Sequence, residues 1–241
     1  MNASQVKTAW SGTIVSIQSR STVWRYRIDN RTHRESGYNV FLNGTIPGGP
    51  IHKPVCVKYD FCVSISENQQ QKLQLSIGDE LSGTGWTPLY PEIEFADLYR
   101  TGALRVVKHS PAAAPEVHLA EKWNVTAPHV DSSQYPGPPW IMVPPSLEVY
   151  AYRGARLLSK AAWKAKCFSC VWANMAAVTT QYDFDRNLVR NRFETFCYGP
   201  LACPCYKMGP ARAVPYKGMD TAMDQGWLDE IMVENRISDS E

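Results

Sequence analysis

Five of the seven cysteines of this 241-residue chain lie in its C-terminal third, in two groups. The first group is Cys167-x2-Cys170, and the second is Cys197-x5-Cys203-x-Cys205. A Cys-x2-Cys turn presents two thiolates to one ion, and a second group of cysteines can complete a tetrahedral shell of four sulfur atoms. The spacing therefore predicts a metal site. The expected ligands are Cys167, Cys170, Cys197 and Cys203, with Cys205 as a substitute for Cys203.

The ligand type narrows the metal to two candidates. Four thiolates suit Zn2+, and a closed shell of this kind is structural because it leaves no position for water. A [4Fe–4S] cluster is the alternative, since four cysteines also hold a cluster and aromatic residues lie close by in the sequence. The remaining interpretation is that the cysteines are small buried apolar residues. Cys56 and Cys62 lie far from both groups and have no predicted partner.

The net charge of +2 conceals an uneven distribution along the chain. Residues 153–217, which hold the cysteine groups, carry 11 Lys and Arg against 3 Asp and Glu, whereas residues 218–241 carry 1 against 7. A basic segment of this kind either meets a polyanion or is covered by the acidic tail. Nucleic acid is therefore the expected partner, and the tail is an expected competitor for the same face.

Proline marks the internal boundary of the chain. Eight of the 17 prolines lie between residues 111 and 150, and such a segment lacks too many backbone donors to form a central strand or a helix interior. We expect four parts: a β domain at 1–110, a Pro-rich connector at 111–150, a basic four-cysteine module at 151–217 and an acidic tail at 218–241. The connector and the tail are also candidate binding sites for a protein partner.

Residues 1–110 show the pattern of a β domain. Short strand-like runs occupy residues 13–17, 38–42, 61–65, 80–83 and 103–107, and Glu67–Leu73 is predicted to be a short helix. The resulting order β-β-β-α-β-β is that of a five-stranded Greek-key barrel. The segments Ser11-Gly-Thr-Ile-Val15 and Leu75-Ser-Ile-Gly-Asp-Glu-Leu-Ser-Gly83 resemble the first and fourth strands of OB-fold barrels. This resemblance covers roughly residues 7–108.

The resemblance implies a fold, and the residues of the first two strands indicate a ligand. Arginines alternate with aromatic residues there, a pattern typical of single-strand readers, in which guanidinium groups hold phosphates and rings stack on bases. The alternative is the ordinary alternation of a half-buried strand. The predicted nucleic-acid-binding residues are Arg20, Trp24, Arg25, Tyr26, Arg27, Arg31 and Arg34, together with Lys164, Lys166, Arg190, Arg192 and Lys207 of the basic module.

Two structures are possible for the cysteine module. Residues 171–182 and 190–197 can form a hairpin across the turn-prone residues 183–187, which would bring Cys197 back beside Cys170 as in a zinc ribbon. Alternatively, residues 150–166 form a basic amphipathic helix. The hairpin is preferred because its segments are β-branched or alternate. The predicted fold class is therefore mainly β, with an OB-like five-stranded barrel and a C-terminal four-cysteine module that contains a hairpin and short helices.

Catalytic machinery is not evident in the sequence. It contains no GxxxxGK[ST], GxGxxG, HExxH or GxSxG motif, and the five histidines avoid the cysteine groups. No apolar stretch is long enough for a membrane helix, and the first residues do not form a signal region, so we expect a cytoplasmic protein without membrane contact. The expected function is non-catalytic binding of single-stranded DNA or RNA with a structural metal. The alternatives are an iron–sulfur protein with a redox or enzymatic role and a protein-interaction adaptor.

Overall fold

A computed structural model describes residues 5–26, 31–51, 54, 56–110, 144–183, 186, 188–199, 203, 205–209, 213–215 and 222–224. The fold is mainly β, as predicted. Its elements in chain order are β1 (Lys7–Tyr26), β2 (Arg31–Thr45), β3 (Phe61–Ile65), α1 (Glu67–Leu73), β4 (Glu80–Trp86), β5 (Tyr99–Lys108), α2 (Leu147–Arg153), β6 (Arg156–Leu157), α3 (Lys160–Ala162), a π-helical turn (Trp163–Cys167), β7 (Ala173–Asp183), β8 (Leu188–Cys197), β9 (Ala213–Pro215) and β10 (Ala222–Asp224). Most of the predicted connector and of the acidic tail lies outside the described residues.

The first five strands curl into a half-barrel. β1 pairs antiparallel with β2 on one edge and with β4 on the other, while β2 also pairs with β3 and β4 with β5. The two ends of this curled sheet meet where Val63 of β3 forms a parallel bridge with Leu98, the residue before β5. There the amide N–H of Ser64 donates a 2.8 Å hydrogen bond to the carbonyl oxygen of Leu98. The bridge gives the half-barrel a continuous apolar interior.

Helix α1 lies between β3 and β4 with the predicted bounds. Ser66 is its N-cap: Oγ of Ser66 accepts a 3.2 Å hydrogen bond from the amide of Gln69, and Oε1 of Gln69 accepts one of 2.8 Å from the amide of Ser66. This capping box satisfies two donors near the start of the helix. The helix ends at Gln74, which has a φ of 49°. The prediction of this helix is confirmed, because the signals that start and stop it are local.

β1 and β2 are much longer than the runs from which they were predicted. Beyond the half-barrel they continue as a two-stranded extension formed by residues 21–26 and 31–35, which we name the arm. The predicted strands at 13–17 and 38–42 are therefore the parts of β1 and β2 inside the half-barrel. The arm consists mainly of the polar and aromatic residues that the sequence placed at a ligand-binding loop.

A bulge separates the arm from the half-barrel. Ser19 pairs with Tyr38, whereas Ser21 pairs with Glu35, so β2 contributes two residues where β1 contributes one. Gly37 at this bulge has a φ of 127°, and a Cβ atom there would lie 2.2 Å from a backbone carbonyl oxygen of β3. Glycine is thus required here for both conformation and space. The bend lets β2 leave the half-barrel without losing its pairing with β1.

β7 joins the C-terminal part of the chain to the arm. It pairs in parallel with β1, from Ala177 opposite Thr22 to Gln181 opposite Tyr26. β8 and β6 follow on the far side, so one sheet runs in the order β3-β2-β1-β7-β8-β6. Buried apolar residues on both sides of the predicted connector form one contiguous core. The described residues of the predicted β domain and of the predicted cysteine module therefore share one core. The Pro-rich boundary expected between them is a change in amino-acid composition and not a division of this core.

The segment between α2 and β7 is not one continuous helix. α2 ends at Arg153, and Gly154 follows with a φ of 62°. β6, α3 and the π-helical turn then occupy the remaining residues up to Cys167. The alternative of a basic helix across 150–166 is therefore wrong, because the left-handed Gly154 turns the chain. β7 and β8 instead pair antiparallel, from Ala173 opposite Cys197 to Asp183 opposite Leu188.

Candidate nucleic-acid interface and cysteine cluster

Two hairpins end side by side at one edge of the sheet. Because β1 and β7 run parallel and in register, the end of β1 at Tyr26 and the end of β7 at Asp183 point in the same direction. The described ends of β1 and β7, and the starts of β2 and β8 that pair with them, therefore lie at the same end. We name residues 22–34 and 181–191 together the paired tips.

The register places basic residues from distant parts of the chain in one row. Arg25 lies opposite Arg31 on β2 and opposite Thr180 on β7. Thr180 in turn lies opposite Arg190 on β8. The row across four strands is Arg31, Arg25, Thr180 and Arg190. The predicted binding residues Arg25, Arg31 and Arg190 thus lie in one row, although more than 150 positions of the sequence separate Arg190 from the other two.

The paired tips carry an excess of positive charge. Their sequence contains six arginines against three aspartates. Arg34, Arg186 and Arg190 are exposed, and the Trp24 side chain is 43% exposed. Of Arg25, Tyr26 and Arg31 the structure describes the backbone, and Arg27 lies outside the described residues. The described part of the tips therefore combines exposed guanidinium groups with an accessible indole ring.

Arg20, another predicted binding residue, is part of the bulge and not of the tips. Its guanidinium group donates a hydrogen bond to the carbonyl oxygen of Ser36 and lies 5.5 Å from the centre of the Tyr99 ring. Burial lowers the pKa of Arg20, although the neighbouring Tyr99 and Glu94 raise it. Arg20 therefore supports the junction between the arm and the half-barrel.

The other predicted basic residues lie farther from the tips. Arg192 lies opposite Val178, midway along β7, and forms an ion pair with Glu194, so part of its charge is already neutralised. The remaining three are exposed at the opposite end, near the cysteines: Lys164, Lys166 and Lys207. Seven residues of β7 separate that end from the row, which corresponds to about 23 Å at ~3.3 Å per residue. The predicted residues therefore form two basic regions and not one.

A segment of the C-terminal half covers one face of β1 and β2. The carbonyl oxygen of Phe168 accepts hydrogen bonds of 2.5 Å from both Ser16 Oγ and Gln18 Nε2. The Phe168 ring lies 5.1 Å from the ring of Phe41, edge to face, and the indole N–H of Trp163 donates a 3.2 Å hydrogen bond to Gln18. All five side chains are buried. Phe168 and Trp163 of the same chain therefore cover this face of the half-barrel.

The C-terminal cysteines converge at the end of β7 and β8 that lies away from the tips. Cys197, the last residue of β8, pairs with Ala173, the first residue of β7. Just before β7, the amide of Cys170 donates a 3.0 Å hydrogen bond to the carbonyl oxygen of Cys167 and closes a tight turn. Sγ of Cys167 lies 3.9 Å from the carbonyl oxygen of Cys205, so the second group returns to the first. All seven cysteines are described, and all are free thiols.

Electrostatic effects show which thiols are neighbours. Burial, and then the thiols of Cys197, Cys203 and Cys205, raise the pKa of Cys167 to about 12. Burial and then Cys197 also raise the pKa of Cys170 well above its ordinary value, with smaller effects from Cys167 and Cys203. The four cysteines of the predicted ligand set therefore lie within electrostatic range of one another. Cys205 contributes to the pKa shift of Cys167 but not to that of Cys170.

The arrangement of these thiols is not that of a metal shell. Within the part of the chain that the structure describes, no three side chains of His, Cys, Asp or Glu are placed so as to hold one ion. The donor set itself fits Zn2+ or a [4Fe–4S] cluster, since either takes four thiolates. The structure thus brings the predicted ligands to one place as free thiols, of which Cys203 is half-buried and the other three are buried.

Arg156 and the backbone of Gly199 contact this cluster, and the sequence did not predict either contact. Nη2 of Arg156 donates a 2.9 Å hydrogen bond to the carbonyl oxygen of Gly199 and lies 3.5 Å from Sγ of Cys197. The amide of Gly199 also donates to this sulfur, at 3.3 Å. Gly199 has a local signal, two residues after a cysteine, but nothing in the sequence links Arg156 to a residue 41 positions later.

No protein-family model, curated protein or solved structure matches this chain. The order and pairing of its strands are therefore the features that can be compared with known folds. Among the described helices, none has the length and apolar character needed to cross a membrane.

Proposed function

We propose that this chain is a non-catalytic protein that binds single-stranded nucleic acid through the paired tips. The proposal rests on the row of Arg31, Arg25, Thr180 and Arg190. This row crosses four neighbouring strands and has an arginine on three of them. Strands lie ~4.8 Å apart, so the row extends over about 14 Å, a length that spans several phosphates of one strand. Guanidinium groups match phosphates in geometry and charge.

The exposed indole of Trp24 supports a single-stranded ligand. A ring on the surface of the arm can stack on an unpaired base, and such stacking contributes ~1–3 kcal/mol per base. Arg34 is exposed on the neighbouring strand of the arm, opposite Thr22. Phosphate-binding and base-stacking groups therefore occur together, as in proteins that bind single strands with little sequence preference.

We further propose that the half-barrel is of the OB type. The support is its order of elements, its antiparallel pairs and the parallel bridge between Val63 and Leu98. In OB barrels the loop between the first two strands and the face of the second and third strands contact ligands. In this chain that loop is the tip of the arm, and Phe168 and Trp163 cover a face of the neighbouring strands. The tips are therefore the better candidate interface.

Fluorescence anisotropy with labelled single-stranded DNA and RNA over a series of salt concentrations tests this proposal. We expect a double variant, Arg25→Ala with Arg190→Ala, to weaken binding at least about tenfold and to reduce the slope of log K against log salt by about 2. The matched control is Lys164→Ala with Lys166→Ala, which removes the same charge at the opposite end and should leave both quantities nearly unchanged. Absence of binding at low salt, or equal loss in the control, would contradict the proposal.

We also propose that the cysteine cluster holds a structural metal, with Zn2+ as the first candidate and a [4Fe–4S] cluster as the alternative. Cys167, Cys170, Cys197 and Cys203 would be the ligands, and Cys205 the substitute. The convergence of these residues and the donors that point at Cys197 Sγ support this proposal. A bound ion would supply folding free energy, because metal binding and folding are coupled in such sites.

Metal analysis of the purified protein tests the second proposal. Zinc in a colourless protein supports the first candidate, and brown colour with absorption near ~400 nm supports the cluster. Cys197→Ser should lose the metal, whereas Cys62→Ser, which alters a buried thiol of the half-barrel, should retain it. A metal-free protein whose stability is unaffected by chelators would show that the cysteines are simply buried residues.

A further inference from the structure

A buried polar network joins the arm to the residue that follows β8. The hydroxyl of Tyr198 donates a 2.8 Å hydrogen bond to Oε1 of Glu35 on β2. Nδ2 of Asn174 on β7 donates to the hydroxyl oxygens of Tyr198, at 3.3 Å, and of Ser21 on β1, at 2.8 Å. Tyr198, Asn174 and Ser21 are all buried. The network therefore connects both strands of the arm with β7 and with the end of β8.

The carboxyl group of Glu35 is satisfied on one side. Oε1 accepts the hydrogen bond from Tyr198, whereas Oε2 is buried and has no hydrogen-bond partner among the described residues. Oδ1 of Asn174 is likewise buried and has no hydrogen-bond partner among the described residues. Oδ1 of Asn174 is a hydrogen-bond acceptor, so it cannot stabilise a negative charge on Glu35. Burial of a carboxylate costs free energy when one of its oxygens has no hydrogen-bond donor. The site thus suits a neutral carboxyl group better than a carboxylate.

The ionisable groups around Glu35 affect its pKa less than burial does. They are His33 on the arm, whose Nε2 lies 3.4 Å from Ser21 Oγ, and the phenols of Tyr38, Tyr150 and Tyr198. Burial raises the pKa of all three tyrosines, so they remain neutral hydrogen-bond donors.

Of the other arginines near Glu35 in the sequence, Arg34 is exposed to solvent. The guanidinium group of Arg20, just outside the arm on β1, is directed at the carbonyl oxygen of Ser36 and the ring of Tyr99. On β7 the group in contact with the network is the neutral amide of Asn174. Burial raises the pKa of Glu35 from 4.5 to about 7, although the hydrogen bond from Tyr198 lowers it. The geometry and the protonation equilibrium thus point in the same direction.

We propose that Glu35 and Tyr198 form a pH-sensitive latch that holds the arm against β7 and β8. While Glu35 is neutral, the network is intact and the arm is docked. When Glu35 releases its proton to solvent, a carboxylate with an unpartnered oxygen lies in a buried site, and separation of the arm lets water solvate it. The arm is therefore docked more firmly at mildly acidic pH than at alkaline pH. The latch does not depend on what the paired tips bind.

Amide hydrogen exchange, followed by NMR and corrected for the intrinsic effect of pH on exchange, tests the latch. For residues 22–26 and 177–181 we expect protection at pH 8 to be lower than at pH 5 by a factor of ten or more, while residues 61–65 change less. Glu35→Gln should abolish this difference. Tyr198→Phe, which keeps the ring but removes the hydrogen bond of the latch, should lower the protection of the arm at pH 5. Because that bond also stabilises the anion, the midpoint of the remaining pH dependence should move to higher pH.

Two results would overturn the latch. One is the same pH dependence of arm protection in Glu35→Gln as in the unaltered protein. The other is a Glu35 carboxyl resonance that titrates at the ordinary value for glutamate, which can be measured in the unaltered protein even where the variant does not fold.

Discussion

The indole N–H of Trp163 donates a 3.2 Å hydrogen bond to the side-chain carbonyl oxygen of Gln18, and both side chains are completely buried. The two residues are 145 positions apart, on opposite sides of the Pro-rich segment. The amide group of Gln18 also donates to the carbonyl oxygen of Phe168. One side chain of the half-barrel therefore holds two residues of the cysteine-bearing segment, and the stability of the two parts must be coupled.

This coupling predicts the effect of Gln18→Leu. The substitution removes the acceptor of the Trp163 indole N–H and one of the two β1 donors to the carbonyl oxygen of Phe168, so we expect a loss of about 1–3 kcal/mol in the free energy of unfolding. Urea unfolding should remain one transition, with circular dichroism and tryptophan fluorescence giving the same midpoint. Trp163→Phe is the matched control, since the double variant should lose less than the sum of the two. Two separate transitions would show that the parts unfold independently.

Asn39 and Asn174 form a matched pair for a second prediction. Both are buried, but neither side-chain atom of Asn39 has a hydrogen-bond partner among the described residues, whereas Nδ2 of Asn174 donates to three hydroxyl groups. Burial of an unsatisfied amide costs about 1–3 kcal/mol. Asn39→Leu should therefore be neutral or stabilising and Asn174→Leu destabilising, as measured by chemical denaturation. Equal destabilisation by both changes would contradict this expectation.

Arg156 is predicted to support the cysteine cluster through Cys197 and Gly199. Arg156→Met keeps much of the side-chain volume but removes the donors to the Cys197 sulfur and to the Gly199 carbonyl. If the cluster holds zinc, affinity for zinc in a competition assay with a chelator should fall by about 10–100-fold, as for other residues that support metal ligands. Lys160→Met, which removes an exposed charge nearby, is the control. Loss of affinity in both variants alike would point to a general effect of charge.

The raised pKa of Glu35 predicts how the free energy of unfolding depends on pH. Because folding raises the pKa of this group from 4.5 to about 7, its contribution is full below pH ~4.5 and is lost as the pH rises to about 7. The difference corresponds to at most about 3 kcal/mol. Glu35→Gln should therefore match the unaltered protein near pH 4.5 and exceed it in free energy of unfolding by up to that amount at pH 8. A stability profile that Glu35→Gln leaves unchanged would refute this assignment.

Several elements were predictable because their signals are local. The helix at 67–73 is bounded by a Ser66 capping box and by Gln74, and both signals lie within nine residues. β3 was predicted with its observed bounds, since five strand-forming residues are followed directly by the helix cap. The turn between β7 and β8 was likewise marked by Asp and Asn. In each case the residues that decide the structure are neighbours in the sequence.

The arm and its consequences were not predictable in this way. Residues 18–26 of β1 are polar or aromatic except for Val23 and resemble a loop. They remain a strand because β2 pairs with them on one edge and β7 pairs with residues 22–26 on the other. Arg20 and Arg25 look equivalent in the sequence, yet one is enclosed at a bulge and the other lies in the row at the tips. Only the register, which depends on contacts across more than 150 residues, separates their roles.

The sequence by itself determined that the chain is mainly β, where its short helix and several strands lie, and that its cysteines come in two groups suited to one site. These properties follow from local backbone preference and residue spacing. Tertiary structure alone decided that β1 and β7 pair in parallel, that Phe168 and Trp163 cover a face of the half-barrel, and that Glu35 is buried beside Tyr198. Parallel pairing and burial depend on the closure of long loops around a shared core, and no short segment of sequence encodes them.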